Sequence, residues 1–350
     1  MTDMEGGGDR DGLGSGDSWL KTNVMEDDGL FAKLRDEVQW SEMRHKGGAV
    51  PRLVCMQGTY DVDDHGSIVF EPVYRHPADE QPPMHAWTPT VDAIRLRVSE
   101  TLGQPLNHAI IQWYRGGADF ISEHSDKTLD IARGTVITNY SAGATRLLVL
   151  RDKKGLKEQR QAATCAPPGR NAQRVELPNN SLFVLGWDTN LRMTHEIRQD
   201  RRLDHDKRED EMAFDAQRIS ITFRHIATFQ RHSDGKLFGQ GAVHKTEVEL
   251  DQSLQVPEAA HAAADPAEVT RETDDMIAMF GAENQDPHFD WDACYGRGFS
   301  VMNMKSASST DAVPELAAGA IRAVATAAGA AEEAQEEKDE PRCASSEISD

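Results

Sequence analysis

The sequence predicts a mainly β protein with flanking helices, built on a double-sheet jelly roll or barrel. Five short runs rich in β-branched and aromatic residues follow one another between residues 109 and 226, separated by Gly, Asn, Asp or Pro. One helix precedes these runs, whereas alternating βαβ units would place a helix between successive strands. Both ends of the chain are poor in large apolar residues.

The individual elements follow from the spacing of apolar residues. Residues 30–40 predict a short amphipathic helix and then an extended segment. Residues 91–102 predict a second helix, because five apolar residues share one face and Gly103 follows as a stop. The predicted strands are residues 109–114, 134–140, 145–150, 181–185 and 219–226.

We predict a domain at residues 21–232 with disordered termini. Residues 1–20 are mainly Gly, Asp and Ser and have little to bury. Residues 233–350 form an acidic, Ala/Glu-rich tail, predicted to be largely disordered with a short ordered motif at 275–300. Two alternatives stay open for this motif: it binds a protein partner, or it packs against the domain.

Composition limits the class of protein. The chain has 350 residues with 59 acidic and 38 basic side chains, a net charge of −21. Residues 233–350 hold 24 of the acidic and 8 of the basic residues, so the front part is closer to neutral. No apolar run approaches the roughly 20 residues of a membrane span, and no secretion signal is visible. We therefore expect an intracellular monomer, in the nucleus or cytoplasm, with no membrane association.

The positions of the four cysteines bear on disulfide bonds and on metal binding. They are scattered along the chain, with no CxxC and no paired spacing. This distribution disfavours both a disulfide framework and a cysteine-based zinc site.

The residues that carry chemistry begin with His124 and Asp126. Residues i and i+2 of a strand share a face, so the imidazole and the carboxylate lie on one side. With a third ligand from a distant strand they can occupy one face of an octahedral ion and leave the opposite positions open, as in non-haem Fe(II) oxygenases. The pattern alone is weak, because His232 and Asp234 repeat it. We interpret that second copy as the polar exit from the fold.

A later histidine and two arginines strengthen this interpretation. His195 follows directly on a predicted strand and turn. Arg218, Ser220, Thr222 and Arg224 alternate with apolar residues and therefore share one face of their strand. Two inward guanidinium groups are costly unless an anion meets them, and a dicarboxylate such as 2-oxoglutarate supplies one. The alternative is an exposed sheet edge with two solvated arginines.

Together these features resemble the AlkB family of Fe(II)/2-oxoglutarate dioxygenases, in its nucleic-acid dealkylating branch. The resemblance implies a double-stranded β-helix (jelly roll) core and the use of Fe(II), 2-oxoglutarate and O₂. It runs from about residue 51 to 226. The matching pieces are Pro-Arg at 51–52, Gln-Gly-Thr-Tyr at 57–60, Trp-Thr-Pro at 87–89, Tyr-Arg-Gly-Gly at 114–117, His-Ser-Asp at 124–126, Gly-Ala-Thr-Arg at 143–146, Gly-Trp at 186–187, His195, and Arg218–Arg224.

The resemblance also implies roles for single residues. His124, Asp126 and His195 are implied as the iron ligands. Arg218 is implied to pair with the distal carboxylate of 2-oxoglutarate, and Arg224 to lie near its metal-chelating end. The further cosubstrate contacts that it implies are Tyr114, Thr222 and Gln112. The last of these departs from the family, which usually has Asn at that position.

Substrate contacts follow less directly from the resemblance. Tyr60 falls in the family's nucleotide-recognition region, where it would help to wall the base pocket. Base-dealkylating members usually place an acidic residue shortly after His-x-Asp, and here Thr128 occupies the expected position. Asp130 would substitute if the loop shifts.

A basic run at residues 151–174 favours nucleic acid as the partner. It holds seven basic residues, including Lys153 and Lys154, against two acidic ones. A basic loop can bind phosphates while a base is flipped into the iron site. The alternative is a solvated insertion with no such role.

We therefore predict a dioxygenase that oxidatively removes N-alkyl groups from nucleobases of DNA or RNA, as in alkylation repair. The alternative function is an oxygenase of the same fold acting on a small molecule or a protein. A non-catalytic binding protein on the same scaffold is the third class, disfavoured because all three ligands and both arginines are present.

Overall fold

β-Strands make up most of the computed structural model, which describes residues 9–45, 48–78, 80–156, 171–255, 266–302 and 305–306. The strands are β1 Arg10–Leu13, β2 Ser18–Thr22, β3 Ser41–His45, β4 Gly48–Gly58, β5 Asp61–Val62, β6 Ile68–Pro72, β7 Glu80–Gln81, β8 Met84–His85, β9 His108–Tyr114, β10 Ile121–His124, β11 Ile137–Gly143, β12 Arg146–Asp152, β13 Ala172–Leu177, β14 Ser181–Leu185, β15 Met193–Ile197, β16 Arg218–Arg224, β17 Thr228–Arg231, β18 Leu237–Gly239 and β19 Lys305–Ser306. The helices are α1 Leu30–Glu37, α2 Pro89–Leu102, α3 Trp187–Arg192, α4 Glu209–Met212, α5 Glu247–Leu254, α6 Pro266–Gln285 and α7 Trp291–Tyr295.

Two sheets form a jelly roll, which confirms the predicted fold class. The larger sheet has the strand order β1-β2-β14-β11-β16-β9-β4-β3-β7-β19, and the smaller sheet has the order β10-β15-β12-β13. One apolar cluster takes buried side chains from both sheets, among them Ile110 and Phe183 from the larger and Leu148 and Ile197 from the smaller. The core therefore lies between the sheets, as expected when two half-buried sheets face each other.

The outer face of the larger sheet is covered by helices. A second apolar cluster contains Leu34 of α1 and Ile94 of α2 together with Ile111 and Ile221 of the sheet. The predicted helix at 91–102 is confirmed, with Gly103 in the left-handed conformation at its end (φ 61°). Among the described residues no helix is long and apolar enough to cross a membrane.

The predicted disorder of residues 1–20 is wrong for the part that the structure describes. β2 pairs antiparallel with β14, and Leu20 lies opposite Phe183 with 3% of its surface exposed. Asp17 accepts hydrogen bonds from the backbone N–H groups of Asp188 (2.7 Å) and Thr189 (3.2 Å) at the start of α3. Composition misled here because an added sheet strand is held mainly by backbone hydrogen bonds and needs few apolar side chains. Residues 1–8 lie outside the described part.

The predicted domain end at residue 232 is also wrong. β18 pairs with β17, and helices follow it in the described ranges 240–255 and 266–302. Met276, Phe280 and Tyr295 are buried in a cluster that also contains Leu129. Apart from Leu129, the buried residues of this cluster lie between residues 276 and 301, where the sequence analysis predicted a short ordered motif. The motif at 275–300 therefore packs against the domain. A protein partner for its exposed residues stays a prediction, and residues 307–350 lie outside the described part.

Candidate metal centre and cosubstrate slot

The three predicted iron ligands lie together. His124 ends β10 directly opposite His195 on β15, and Asp126 follows two residues later. The candidate ligand atoms of the three side chains all lie within 4.8 Å of one another. The two imidazole ring centroids are 4.3 Å apart, and His124 Nε2 lies 3.9 Å from Asp126 Oδ1. Two nitrogen donors and one oxygen donor thus converge on one point, a donor set that suits Fe(II).

The backbone of Asp126 is held by a residue that the sequence analysis did not single out. Asn190 of α3 accepts a hydrogen bond from Asp126 N–H and donates one to the Asp126 carbonyl oxygen, both at 2.9 Å. Asn190 is 2% exposed. The sequence feature that could have identified Asn190 is its polar side chain in the turn that leads to His195.

The protonation states suit metal binding. His124 Nδ1–H donates to the Ser122 carbonyl oxygen at 2.7 Å, which leaves Nε2 free as a donor atom. Burial, and then the neighbouring His195, lower the pKa of His124 to about 3, and burial lowers the pKa of His195 as well. Burial alone would raise the pKa of Asp126, but Arg224 and the two histidines hold it below its ordinary value. Neutral imidazoles and an ionised carboxylate are the forms that bind a cation.

Two buried arginines lie close to the candidate metal ligands and have donors that a carboxylate could accept from. Arg218 is 1% exposed and Arg224 is 4% exposed, so the alternative of a solvated sheet edge is wrong. Arg218 Nη2 donates to Asn139 Oδ1 and Ser141 Oγ at 2.8 Å, whereas Nε and Nη1 of both arginines have no hydrogen-bond partner among the described residues. Burial lowers the pKa of Arg218 to about 10, which leaves it cationic at neutral pH. Buried cationic donors without acceptors fit a carboxylate-bearing ligand.

An inner cavity joins the metal ligands to Arg218. All of the predicted cosubstrate contacts line it, together with apolar side chains from both sheets. Gln112 Oε1 accepts hydrogen bonds from Arg52 Nε (2.6 Å) and the Tyr114 hydroxyl (3.1 Å). The Thr222 hydroxyl accepts one from Asn139 Nδ2 (3.1 Å). The predicted contacts that line the cavity are Gln112, Tyr114, Arg218, Thr222 and Arg224.

A wider groove of about 770 Å³ opens at the same metal ligands. Its lining includes apolar side chains from three parts of the chain, and it ends at His124 and Asp126. A concave, mainly apolar groove that ends at convergent polar groups is typical of a substrate site. Its apolar lining residues include Met43, Val50, Pro51, Phe120, Ile277 and Phe280.

The structure contradicts two of the predicted substrate contacts near the His-x-Asp motif. Thr128 donates its backbone N–H to Glu283 Oε1 at 2.9 Å, and its hydroxyl donates to the same oxygen. Asp130 is fully buried and forms an ion pair with Arg75 at 2.6 Å. Both side chains are therefore used inside the protein and do not face a substrate. The sequence could not show this, because Glu283 is 155 residues away.

The basic run and Tyr60 are only partly as predicted. Lys153 is 1% exposed and donates to the Glu283 carbonyl oxygen at 2.5 Å, so its assignment to phosphate binding is wrong. Lys154 is exposed, and its role stays a prediction. Residues 157–170 of the run lie outside the described part. Tyr60 donates its hydroxyl to the Met84 carbonyl oxygen and does not line the groove among the described residues.

Comparison with known proteins agrees with this geometry. A family model described as the 2OG-Fe(II) oxygenase superfamily matches residues 18–224. DNA oxidative demethylase ALKBH2 is 29% identical over 142 residues in Mus musculus (40% of this chain, 52% of the relative) and 30% identical in Homo sapiens (40% and 47%). Alpha-ketoglutarate-dependent dioxygenase alkB homolog 3 of Homo sapiens is 23% identical over 186 residues (50% and 57%). The chain thus spans about half the length of these relatives.

These matches confirm the AlkB-like resemblance. The family model covers more than half of the chain and contains every predicted metal ligand and cosubstrate contact. The converging His-Asp-His donors and the unsatisfied buried guanidinium groups fit the metal and the dicarboxylate that the family uses. The protein therefore belongs to the 2OG-Fe(II) oxygenase superfamily, whose cofactor and cosubstrates are Fe(II), 2-oxoglutarate and O₂.

Proposed function

We propose that this oxygenase oxidatively removes an N-alkyl group from a nucleobase of DNA or RNA. The observation that carries the proposal is the groove of about 770 Å³ that ends at His124 and Asp126. A flat heteroaromatic ring can stack on the apolar lining of such a groove and bring an alkyl substituent to the metal. The ALKBH2 relatives are named as DNA oxidative demethylases, which supports a nucleobase as the substrate.

In this proposal the metal ligands and the predicted cosubstrate contacts each have a stated role. His124, Asp126 and His195 hold Fe(II). Arg218 binds the distal carboxylate of 2-oxoglutarate, and Arg224 binds near its chelating end while it also holds Asp126 through a 3.0 Å hydrogen bond. Gln112, Tyr114 and Thr222 supply the remaining polar contacts in the cavity.

Bound Fe(II) with 2-oxoglutarate supplies dioxygen activation: one oxygen atom enters succinate as CO₂ leaves, the other enters an alkyl C–H bond, and the hydroxylated carbon departs as an aldehyde. The protein's own residues prepare this reaction. Asn190 and Arg224 orient Asp126, and apolar side chains such as Leu148 and Phe183 line the inner cavity and limit water.

A second candidate substrate class is a small molecule or a protein. The specific observation in its favour is that Thr128 and Asp130 are both engaged inside the protein. The position at which base-dealkylating relatives place a base contact is thus not free. The net charge of −21 also does not favour a polyanion.

Turnover of methylated oligonucleotides tests the proposal. The full chain is incubated with Fe(II), 2-oxoglutarate and O₂ and with single- and double-stranded DNA and RNA that carry 1-methyladenine or 3-methylcytosine. We expect mass spectrometry to show loss of one methyl group with an equal amount of succinate, and a His124→Ala variant to show neither. Succinate release without demethylation of any oligonucleotide would reject the nucleobase and favour the second class.

A further inference from the structure

Helix α6 lies beyond the family match at residues 18–224, yet it contributes to the groove over the metal ligands. Four of its residues line this groove. They follow the spacing i, i+3, i+4 and i+7, which places them on one face of the helix. One wall of the groove is therefore a continuous helix face, formed by Ile277, Phe280, Gly281 and Asn284.

Buried hydrogen bonds fix this wall to the loop that carries Asp126. Asn284 Oδ1 accepts from Ser125 N–H at 2.8 Å and from Lys127 Nζ at 3.2 Å. Glu283 is 2% exposed and accepts from Thr128 and from the Tyr295 hydroxyl (2.8 Å). Because these bonds join α6 to residues on both sides of Asp126, the distance between the helix face and the metal ligands is set by the fold.

Gly281 is the residue on this face that leaves room. A Cβ atom added at Gly281 would meet no atom of the described residues within 4 Å, so packing within the described part of the chain does not require glycine here. Glycine in a helix interior is less favourable than alanine. A glycine that costs helix stability and relieves no crowding, at a position that lines the groove, indicates a need for open space in front of it.

We propose that α6 is the substrate-facing wall of the groove and that Gly281 is a specificity-determining residue, whose missing side chain admits the alkylated base. This inference rests on the proposed function. It means that a helix outside residues 18–224, the region that the family model matches, controls which substrates reach the metal.

The test adds bulk at Gly281 and, as a matched control, at Ala278. Ala278 is exposed on the same helix and does not line the groove. We compare Gly281→Trp, Gly281→Ala and Ala278→Trp with the wild-type chain. Binding is measured by fluorescence anisotropy of a fluorescein-labelled single-stranded oligonucleotide with one 1-methyladenine, in the presence of Mn(II) and 2-oxoglutarate without O₂. Melting temperatures check that the variants fold.

We expect Gly281→Trp to weaken binding at least about tenfold, because a difference of one methylene group in a pocket already changes binding by about that factor. Gly281→Ala should weaken binding less, and Ala278→Trp should stay within about twofold of wild type. Equal binding by the two Trp variants, with a wild type that demethylates the oligonucleotide, would overturn the inference and leave the proposed function intact. A wild type that releases succinate but neither binds nor demethylates any oligonucleotide would reject the proposed function, and the role of Gly281 with it.

Discussion

Arg218 and Arg146 are both buried, and their guanidinium groups both lie over the ring of Tyr114. Their partners differ. Arg146 donates to the carbonyl oxygens of Gly116, Asp119 and Arg198 at 2.7–3.1 Å, so its donors are used by the protein. Among the described residues, Nε and Nη1 of Arg218 have no hydrogen-bond partner. This contrast distinguishes Arg146, whose donors are used by the protein, from Arg218, which we propose binds the cosubstrate.

Replacing Arg218 with methionine should remove 2-oxoglutarate binding without loss of fold. With Mn(II) present and 2-oxoglutarate at about 100 times its Kd, the ligand should add about 2.7 kcal/mol to the free energy of unfolding of the wild type. In Arg218→Met we expect almost none of this gain. The ligand-free variant should be at least as stable as wild type, because an incompletely paired buried charge has been removed. Chemical unfolding with and without ligand measures both quantities.

Arg146→Met is the matched control. It should lower the free energy of unfolding by about 1–3 kcal/mol, because carbonyl oxygens lose their donors. It should retain the stabilisation by 2-oxoglutarate. A full ligand response in Arg218→Met would show that Arg218 does not hold the cosubstrate.

Lys153 gives a prediction of pH dependence. Burial lowers its pKa from 10.5 to about 7 in the folded protein. Between these values the unfolded chain binds more protons than the folded one, so this group makes the free energy of unfolding rise with pH, by at most about 1.4 kcal/mol per unit. The free energy of unfolding of the wild type minus that of Lys153→Met should therefore increase from pH 7 to pH 9, as measured by urea unfolding. A constant or falling difference would contradict the depressed pKa.

The chain on either side of helices α5 to α7 is attached to the domain by charged and polar contacts as well as by apolar ones. Arg75 is fully buried; it pairs with Asp130 and donates to the carbonyl oxygens of Gly241 (2.8 Å), Phe299 (2.9 Å) and Val301 (3.2 Å). The Arg75 guanidinium group thus joins the loop after the metal ligands to the chain before α5 and to the chain after α7.

Breaking this pair should be far more costly than breaking an exposed one. We expect Asp130→Ala to lower the free energy of unfolding by about 3–5 kcal/mol, because it leaves Arg75 as an uncompensated buried charge. The control is Asp292→Ala, which breaks the exposed ion pair between Arg133 and Asp292. Its cost should be below about 1 kcal/mol. Similar losses in the two variants would show that the Arg75–Asp130 pair does not anchor the helices.

Helices α5, α6 and α7 make the segment after residue 232 part of the domain that carries the candidate metal centre. A chain truncated after residue 232 should melt at a lower temperature and lose metal-dependent stabilisation by 2-oxoglutarate. A chain truncated after residue 306 keeps every described helix and strand, and we expect it to retain this stabilisation. Equal melting temperatures for both truncations would restore the predicted domain end at 232.

The sequence predicted those parts of the site that depend on strand periodicity or on a motif. Alternation along β16 placed Arg218 and Arg224 on one face. The His-x-Asp motif identified Asp126, but Asp126 follows the end of β10, so its position beside His124 does not come from the i, i+2 rule for strands. Their meeting with His195 was implied by the resemblance, not by spacing. The contacts of Thr128 and Asp130 with Glu283 and Arg75 were not predictable, because no local pattern relates side chains so far apart in the chain.

We propose that His124, Asp126 and His195 form one Fe(II) site next to a cationic 2-oxoglutarate slot. Anaerobic calorimetric titration with Fe(II), with and without 2-oxoglutarate, tests this proposal. We expect one Fe(II) per chain, tighter 2-oxoglutarate binding when the metal is present, and loss of metal uptake in His195→Ala. No uptake by the wild type, or undiminished uptake by the variant, would contradict the claim.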